Sequence, residues 1–288
     1  MRNEDTVVRV DEPVADPVHR GAPPGSLRFY AVLFAPPGRR TVLNALYSLE
    51  VELRDCAAST NHDIAHTRLQ WWRDELDRFA SGQARHPITV ALSTVRERLT
   101  SPVAVLNELI IGAELDLVRF TYHTWSELVA YCQRSSGALQ SLIAAALVAP
   151  DVATDRELAF ARELGVAIRQ VEMLRDPQRD GPRGLIYAPL DVLEARKVTP
   201  EAWAKGYATP GRNAVLNEWA DRVESQLAMA ATMLTREERA RQRHGLVLGA
   251  LHRRLLDSVR QHAGNDQVAD VAPLARVWTA WRAARAAR

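Results

Sequence analysis

Apolar residues recur at three- and four-residue intervals along most of this chain, the spacing of one face of an α-helix. The segment RRTVLNALYSLEVELRDCAAS carries Val42, Leu46, Leu49 and Leu53 on one face, and IAHTRLQWWRDELDRFASG carries Ile64, Leu69, Trp72, Leu76 and Phe79 before Gly82. The same period runs through AVLNELIIGAELDLVRF, WSELVAYCQRSSGALQSLIAAALVA, RELAFARELGVAIRQVEMLRD, RNAVLNEWADRVESQLAMAATML and GLVLGALHRRLLDSVRQH. β-Branched alternation is scarce, and there is no internal repeat and no phosphate-cradling glycine loop. The pattern predicts an all-α protein of about eight to ten helices, bundled around one central cavity.

Composition changes this picture little. The 288 residues are 47% apolar and 25% charged, with a formal net charge of +2 spread along the chain. No basic stripe marks a nucleic-acid partner. The two cysteines, Cys56 and Cys132, form no CxxC pair, which fits a reducing, cytoplasmic setting. The proline- and acid-containing opening, residues 1–25, reads as a disordered tail without a secretory signal, followed by one domain over 26–288. No apolar run reaches the length of a membrane-spanning helix.

The chemistry concentrates in VEMLRDPQRDGPRGLIYAPL. Glu172, Asp176 and Asp180 stand four apart, with Arg175, Arg179 and Arg183 interleaved. On a continuous helix the acids would share a face, but Pro177 sits where it ends or kinks one. Carboxylates suit Mg²⁺, and guanidiniums suit phosphate oxygens. An apolar segment beside both suggests a greasy diphosphate; a solvated helix end laced with ion pairs is the bland alternative.

These residues resemble the second aspartate-rich motif of the squalene/phytoene synthase family, roughly N-x-x-R-D-x-x-x-D followed by R-G-R-I-Y-x-P. Arg175, Asp176, Asp180, Arg183, Gly184, Ile186, Tyr187 and Pro189 match. The resemblance runs from Ser26 almost to the end, through SLRFYAVLFAPPGRRTVLNALYSL, RLQWWRDELDRFASGQARHPI, LIIGAELDL, YCQRSSGALQSL and GLVLGALHRRLLDSV. It is strongest to bacterial hopanoid-pathway members. It implies an isoprenoid synthase fold in which two Asp-rich motifs face each other across a cavity, hold Mg²⁺ and ionise a prenyl diphosphate. The implied reaction joins two farnesyl (C15) or geranylgeranyl (C20) diphosphates with loss of diphosphate; NADPH enters only if squalene is the product. By the same resemblance Asp55, Glu172, Asp176 and Asp180 are metal ligands. Arg28, Tyr30, Arg54, Arg175, Arg183 and Gly137 bind substrate, and Tyr187 lies nearest the reacting centre with Asp176 and Asp180.

The first motif departs from the family pattern. Of roughly C-R-x-x-D-D-x-x-D, only Asp55 remains in EVELRDCAA; Arg54 and Ala58 replace the chelating acids. Either Glu52 and Asp55 substitute, or that metal site is weak or lost. Arg54 either points into the cavity or pairs with Glu50 one turn back. Glu172 replaces an Asn, Arg169 a Gln, and Arg134 and His252 stand where tyrosines are usual. The alternative to an enzyme is therefore an inactive member that binds a prenyl diphosphate or serves assembly, as a mitochondrial complex I assembly factor with eroded motifs does. Elsewhere, His62 and His66 have metal-ligand spacing on a helix, Trp71 and Trp72 suit packing, and LARVWTAWRAARAAR is amphipathic enough for peripheral contact with an anionic membrane.

Overall fold

The computed structural model describes residues 16–99, 104–206, 208–262 and 269–288, and among them there is no strand. Sixteen α-helical segments occur among the described residues, more than the eight to ten expected, because short turns of helix interrupt the chain; nine have eight residues or more. The elements that build the site and its surroundings are α1 (Leu27–Val32), α2 (Arg40–Ala57), α3 (His62–Ala80), α4 (Ala104–Leu117) and α5 (Trp125–Cys132). They are followed by α6 (Ala138–Val148), α7 (Asp155–Arg175), α8 (Pro210–Thr232), α9 (Arg243–Gln261) and α10 (Pro273–Ala286).

Local chemistry sets these boundaries. Asn61 caps α3 by accepting from the amides of Asp63 and Ile64, and Thr154 and Glu157 form a capping box that opens α7. Pro177 stops α7: Asp176 is its C-cap, and a separate turn covers Pro177–Asp180. Glu172 and Asp180 therefore do not share one helical face.

Helix α7 is central, packing against α6, α8, α9 and the segment that joins α5 to α6. That joint, Gln133–Gly137, is a π-helical turn, in which the Ser135 hydroxyl donates to the Tyr131 carbonyl at 3.0 Å. Its small side chains let α7 approach closely. A Cβ on Gly165 would lie 2.2 Å from the Ser136 carbonyl oxygen and 2.7 Å from the Gly137 Cα. Both partners are backbone, so one helix must move. Gly165→Ala is expected to lower stability by about 1–3 kcal/mol, read as a fall in the denaturation midpoint at unchanged m-value; an unchanged midpoint would show the crossing to be loose.

The reading of residues 1–25 as a disordered tail needs correction over its last ten residues. Residues 1–15 lie outside the described residues, but 16–25 pack against α2: Val18 and Ala22 are buried, and the Gly21 amide donates to Ser48 Oγ at 2.8 Å. Arg20 pairs with Glu52 at 2.6 Å and with Asp55. Acids and prolines signalled disorder; the polar partners that anchor the segment, Ser48, Glu52 and Asp55, lie 27–35 positions away in sequence.

Candidate functional site

Two buried ion-pair networks meet where α1, α2, α4, α5 and α7 converge. In the first, Glu172 on α7 faces Arg54 of α2 at 3.1 Å, Arg28 of α1 at 3.5 Å and Arg169 one turn back at 3.5 Å. Glu50, 4% exposed, stands 2.6 Å from Arg28 and 2.7 Å from Arg54. Neither contact of Glu50 has hydrogen-bond alignment, so both are close ion pairs. Arg28 also lies over the Tyr47 ring, 4.7 Å from its centroid.

In the second, Asp116 on α4 accepts from the hydroxyls of Tyr131 and Tyr187, both at 2.8 Å, and lies 3.5 Å from Arg169. Arg169 donates to Tyr131 Oη at 2.6 Å and to Tyr187 Oη at 3.0 Å, and its guanidinium stands over both rings. Arg169 thus joins the two networks.

The formal charges cancel: Arg28, Arg54 and Arg169 against Glu50, Glu172 and Asp116. Burial alone would raise the Glu172 pKa, but Arg54, Arg28 and Arg169 overcome it and hold the carboxyl well below its ordinary range. Burial pushes the Tyr187 and Tyr131 hydroxyls up, so both stay protonated and able to donate. Between α2, α4 and the π-helical turn, beside Arg54, Asp116 and Tyr131, the open space is about 10 Å³. That is room for a single water, whereas ligand pockets run to about 300–1,000 Å³.

The other residues singled out in the sequence lie around these networks. Asp176 is held by Arg175 at 2.5 Å and by Arg179 at 3.0 Å, and Asp180 is 3.5 Å from Arg179. Burial raises the Asp180 pKa, against the pull of Arg179. Arg183 is exposed on the turn ending at Gly184, whose φ of 76° suits glycine. Tyr30 is half-buried against the core beside Phe29. Gly137 closes the π-helical turn, where a Cβ would meet the Cys132 carbonyl oxygen at 3.2 Å; the turn places it in a helix crossing. Asp55 and Glu52 pair with Arg20, on a different side of α2 from Glu50 and Arg54. His62 and His66 are both exposed; Trp72 is buried, and Trp71 is 43% exposed.

A divalent cation shared between α2 and α7 does not fit this donor set. The α2 position that faces Glu172 carries a guanidinium, and Glu50, Glu52, Asp55 and Glu172 are each paired with an arginine. Among the described residues no three His, Cys, Asp or Glu side chains converge as a ligand group. Sequence reasoning had weighed Arg54 and Glu172 but passed over Asp116 and Tyr131. Both lie in segments that resemble the family, but α4 also carries Glu108 and Glu114, so nothing in the sequence singles out Asp116 among its acids.

His252 of α9 is buried near Glu172, with Nδ1 2.9 Å from the Leu248 carbonyl oxygen, and burial pushes its pKa down to about 4. His244, hydrogen-bonded to the Tyr47 hydroxyl at 3.1 Å, is pushed down to about 3. The unfolded chain binds these protons first as pH falls, so stability is full above the ordinary value of 6.5 and is lost from there towards pH 4. Glu172 adds further loss below its ordinary 4.5. The thermal midpoint should be flat above about pH 7 and fall steadily between pH 6.5 and 4. His252→Gln should remove a share on the order of 3 kcal/mol over that range. A midpoint constant down to pH 4.5 would contradict the burial of these imidazoles in neutral form.

Comparison with known proteins places this geometry in context. The squalene/phytoene synthase family profile matches residues 24–282. Phytoene synthase of Mycobacterium tuberculosis is 30% identical over 167 residues, 58% of this chain and 54% of the relative. Phytoene synthase of Arthrospira platensis is 33% identical over 135 residues, 43% of this chain and 44% of the relative. The chain thus spans about half the length of the curated relatives it matches. A dehydrosqualene synthase crystal structure in complex with ligand superposes with TM-score 0.76 at 18% identity, covering 90% of each chain. Squalene synthase HpnC from Alicyclobacillus acidocaldarius superposes at 0.72 and 21% identity, covering 85% of this chain and 91% of the other. At those identities the superpositions establish the all-α isoprenoid synthase fold.

Proposed function

The chain belongs to the squalene/phytoene synthase family, and we propose that it is a member that has given up metal-dependent condensation and acts by binding. Members of this family act on prenyl diphosphates in general. One observation carries the reading: Arg54, in the place of a first-motif aspartate, reaches from α2 to Glu172 on α7 at 3.1 Å. A guanidinium there supplies the positive charge that would otherwise draw a cation, and it is already matched by Glu50 and Glu172. With no net charge left over, this centre has little to offer a leaving diphosphate.

A candidate anion site lies at the C-terminal end of α7 and on the turns that follow it. Arg175, Arg179 and Arg183 there outnumber Asp176 and Asp180, leaving one positive charge in excess. We take a diphosphate headgroup, C15 or C20 in its prenyl tail, as the ligand this edge would hold without cleaving it. A second reading, isoprenyl transfer, is favoured by Asp180, a buried motif carboxyl whose ion-pair partner Arg179 stands at 3.5 Å, farther than the arginines of Asp176. One incubation separates the two. Purified protein is given labelled farnesyl and geranylgeranyl diphosphates with and without Mg²⁺ and NADPH, beside an active family member. The expected result is no pyrophosphate release and no organic-phase product. A Mg²⁺-dependent C30 or C40 product that disappears in Asp176→Ala establishes the transferase instead.

A further inference from the structure

Helix α10 turns Ala280 and Ala284 inward, packs on α9 and α1, and leaves its opposite face uncovered. On that face Leu274 is 85% exposed, Val277 51%, Trp278 58% and Trp281 42%. At about 100° per residue these four share an arc of roughly 140° with Arg282 and Arg285, and Arg288 follows just past the helix end. The face is therefore apolar along its first half and cationic along its second. The two indoles are stacked with centroids 5.1 Å apart, and Arg285 stands 4.9 Å over the Trp281 ring. No acid occurs between Pro273 and Arg288. Arg276, which belongs to the inner side, is taken up by Asp270 and by the carbonyls of Val271 and Gly25.

Charge complementarity selects the occupant. A protein partner would have to match an apolar stripe and an all-cationic end together; an anionic bilayer does both at once. Indole and leucine side chains settle at the boundary between headgroups and acyl chains, and arginines reach lipid phosphates. No described helix is long and apolar enough to cross a membrane, so the contact lies in the surface plane. We infer that α10 docks this protein on an anionic lipid surface through Leu274, Val277, Trp278 and Trp281, with Arg282, Arg285 and Arg288 on the headgroups. The inference is independent of whether the bundle interior turns over a substrate.

Flotation of the full chain with phosphatidylcholine vesicles, with and without about 30% phosphatidylglycerol, tests it. The protein should float with the anionic vesicles at low salt, at least about tenfold more weakly with the neutral ones, and should be released by high salt. Trp278→Ser/Trp281→Ser should lose at least about tenfold in binding with an unchanged thermal midpoint, since the replaced side chains are exposed. Arg282→Gln/Arg285→Gln/Arg288→Gln should lose the preference for anionic lipid. A wild-type chain that stays unbound, or a tryptophan variant that floats as well as wild type, overturns the proposal. So does a dimer in sedimentation velocity that the tryptophan substitutions dissociate in the absence of vesicle binding, because the face would then belong to a second copy.

Discussion

Glu172→Gln is expected to destabilise the protein by about 3–5 kcal/mol, the range for removing one partner from a buried ion-pair network. Glu172 is the meeting point of Arg28, Arg54 and Arg169, at 3.5, 3.1 and 3.5 Å. Its amide isostere keeps the shape and loses the charge, leaving three buried guanidiniums to share Glu50 and Asp116. Surface screening softens the effect little, because the Glu172 and Arg169 side chains are only 12% and 5% exposed; Arg54, at 28%, is the most open partner. For a domain of this size the cost should appear as a drop of roughly 10 °C in the thermal midpoint. A drop of 1–2 °C would mean that solvent reaches the network and that its arginines are loosely held.

Arg54→Asp should have a different and more telling signature. The substitution places a carboxylate on α2 between Glu50 and Glu172 and removes the guanidinium that holds them, a change of two charges. Without added metal the variant should lose several kcal/mol. With millimolar Mg²⁺ or Ca²⁺ it should regain much of that, because three oxygen donors now converge and a cation bound only by the folded state stabilises it. The wild-type midpoint should not respond to either ion. A wild-type shift as large as the variant's would show that the native carboxylates bind a cation despite their arginines, and would reverse the reading of the site.

The sequence made the helices legible because burial follows the 3.6-residue period: Val42, Leu46, Leu49 and Leu53, assigned to one face, are all buried. It also showed that Pro177 threatened the carboxylate stripe, and α7 ends at Arg175. It did not tell an Arg54 paired with Glu50 from an Arg54 directed into the cavity; Arg54 pairs with Glu50 at 2.7 Å and with Glu172 on α7 at 3.1 Å. Spacing of four residues says that two side chains share a face, not whether the face is solvated, and Glu50 at 4% exposure turns it inward. Asp116 was harder to find because its partners are remote in sequence: Tyr131 is 15 positions away and Tyr187 is 71. Such a site is assembled by helix crossings, above all the close contact at Gly165, and no local pattern encodes them.

The cancelled charge at the junction of the two networks has a further consequence for how this chain can change. Six side chains of opposite formal charge balance one another in a largely buried cluster, so a substitution at any one leaves a neighbour uncompensated. Tolerated changes must come in matched pairs, one acid with one base, and effects at Glu50, Arg54 and Glu172 will be strongly non-additive. A mutational path between this arrangement and one with an acidic α2 therefore passes through unstable single mutants, unless a bound cation or a prior gain in stability carries the chain across. Arg54, once in place, acts as a ratchet: the residues around it have become conditions for its presence, and it for theirs.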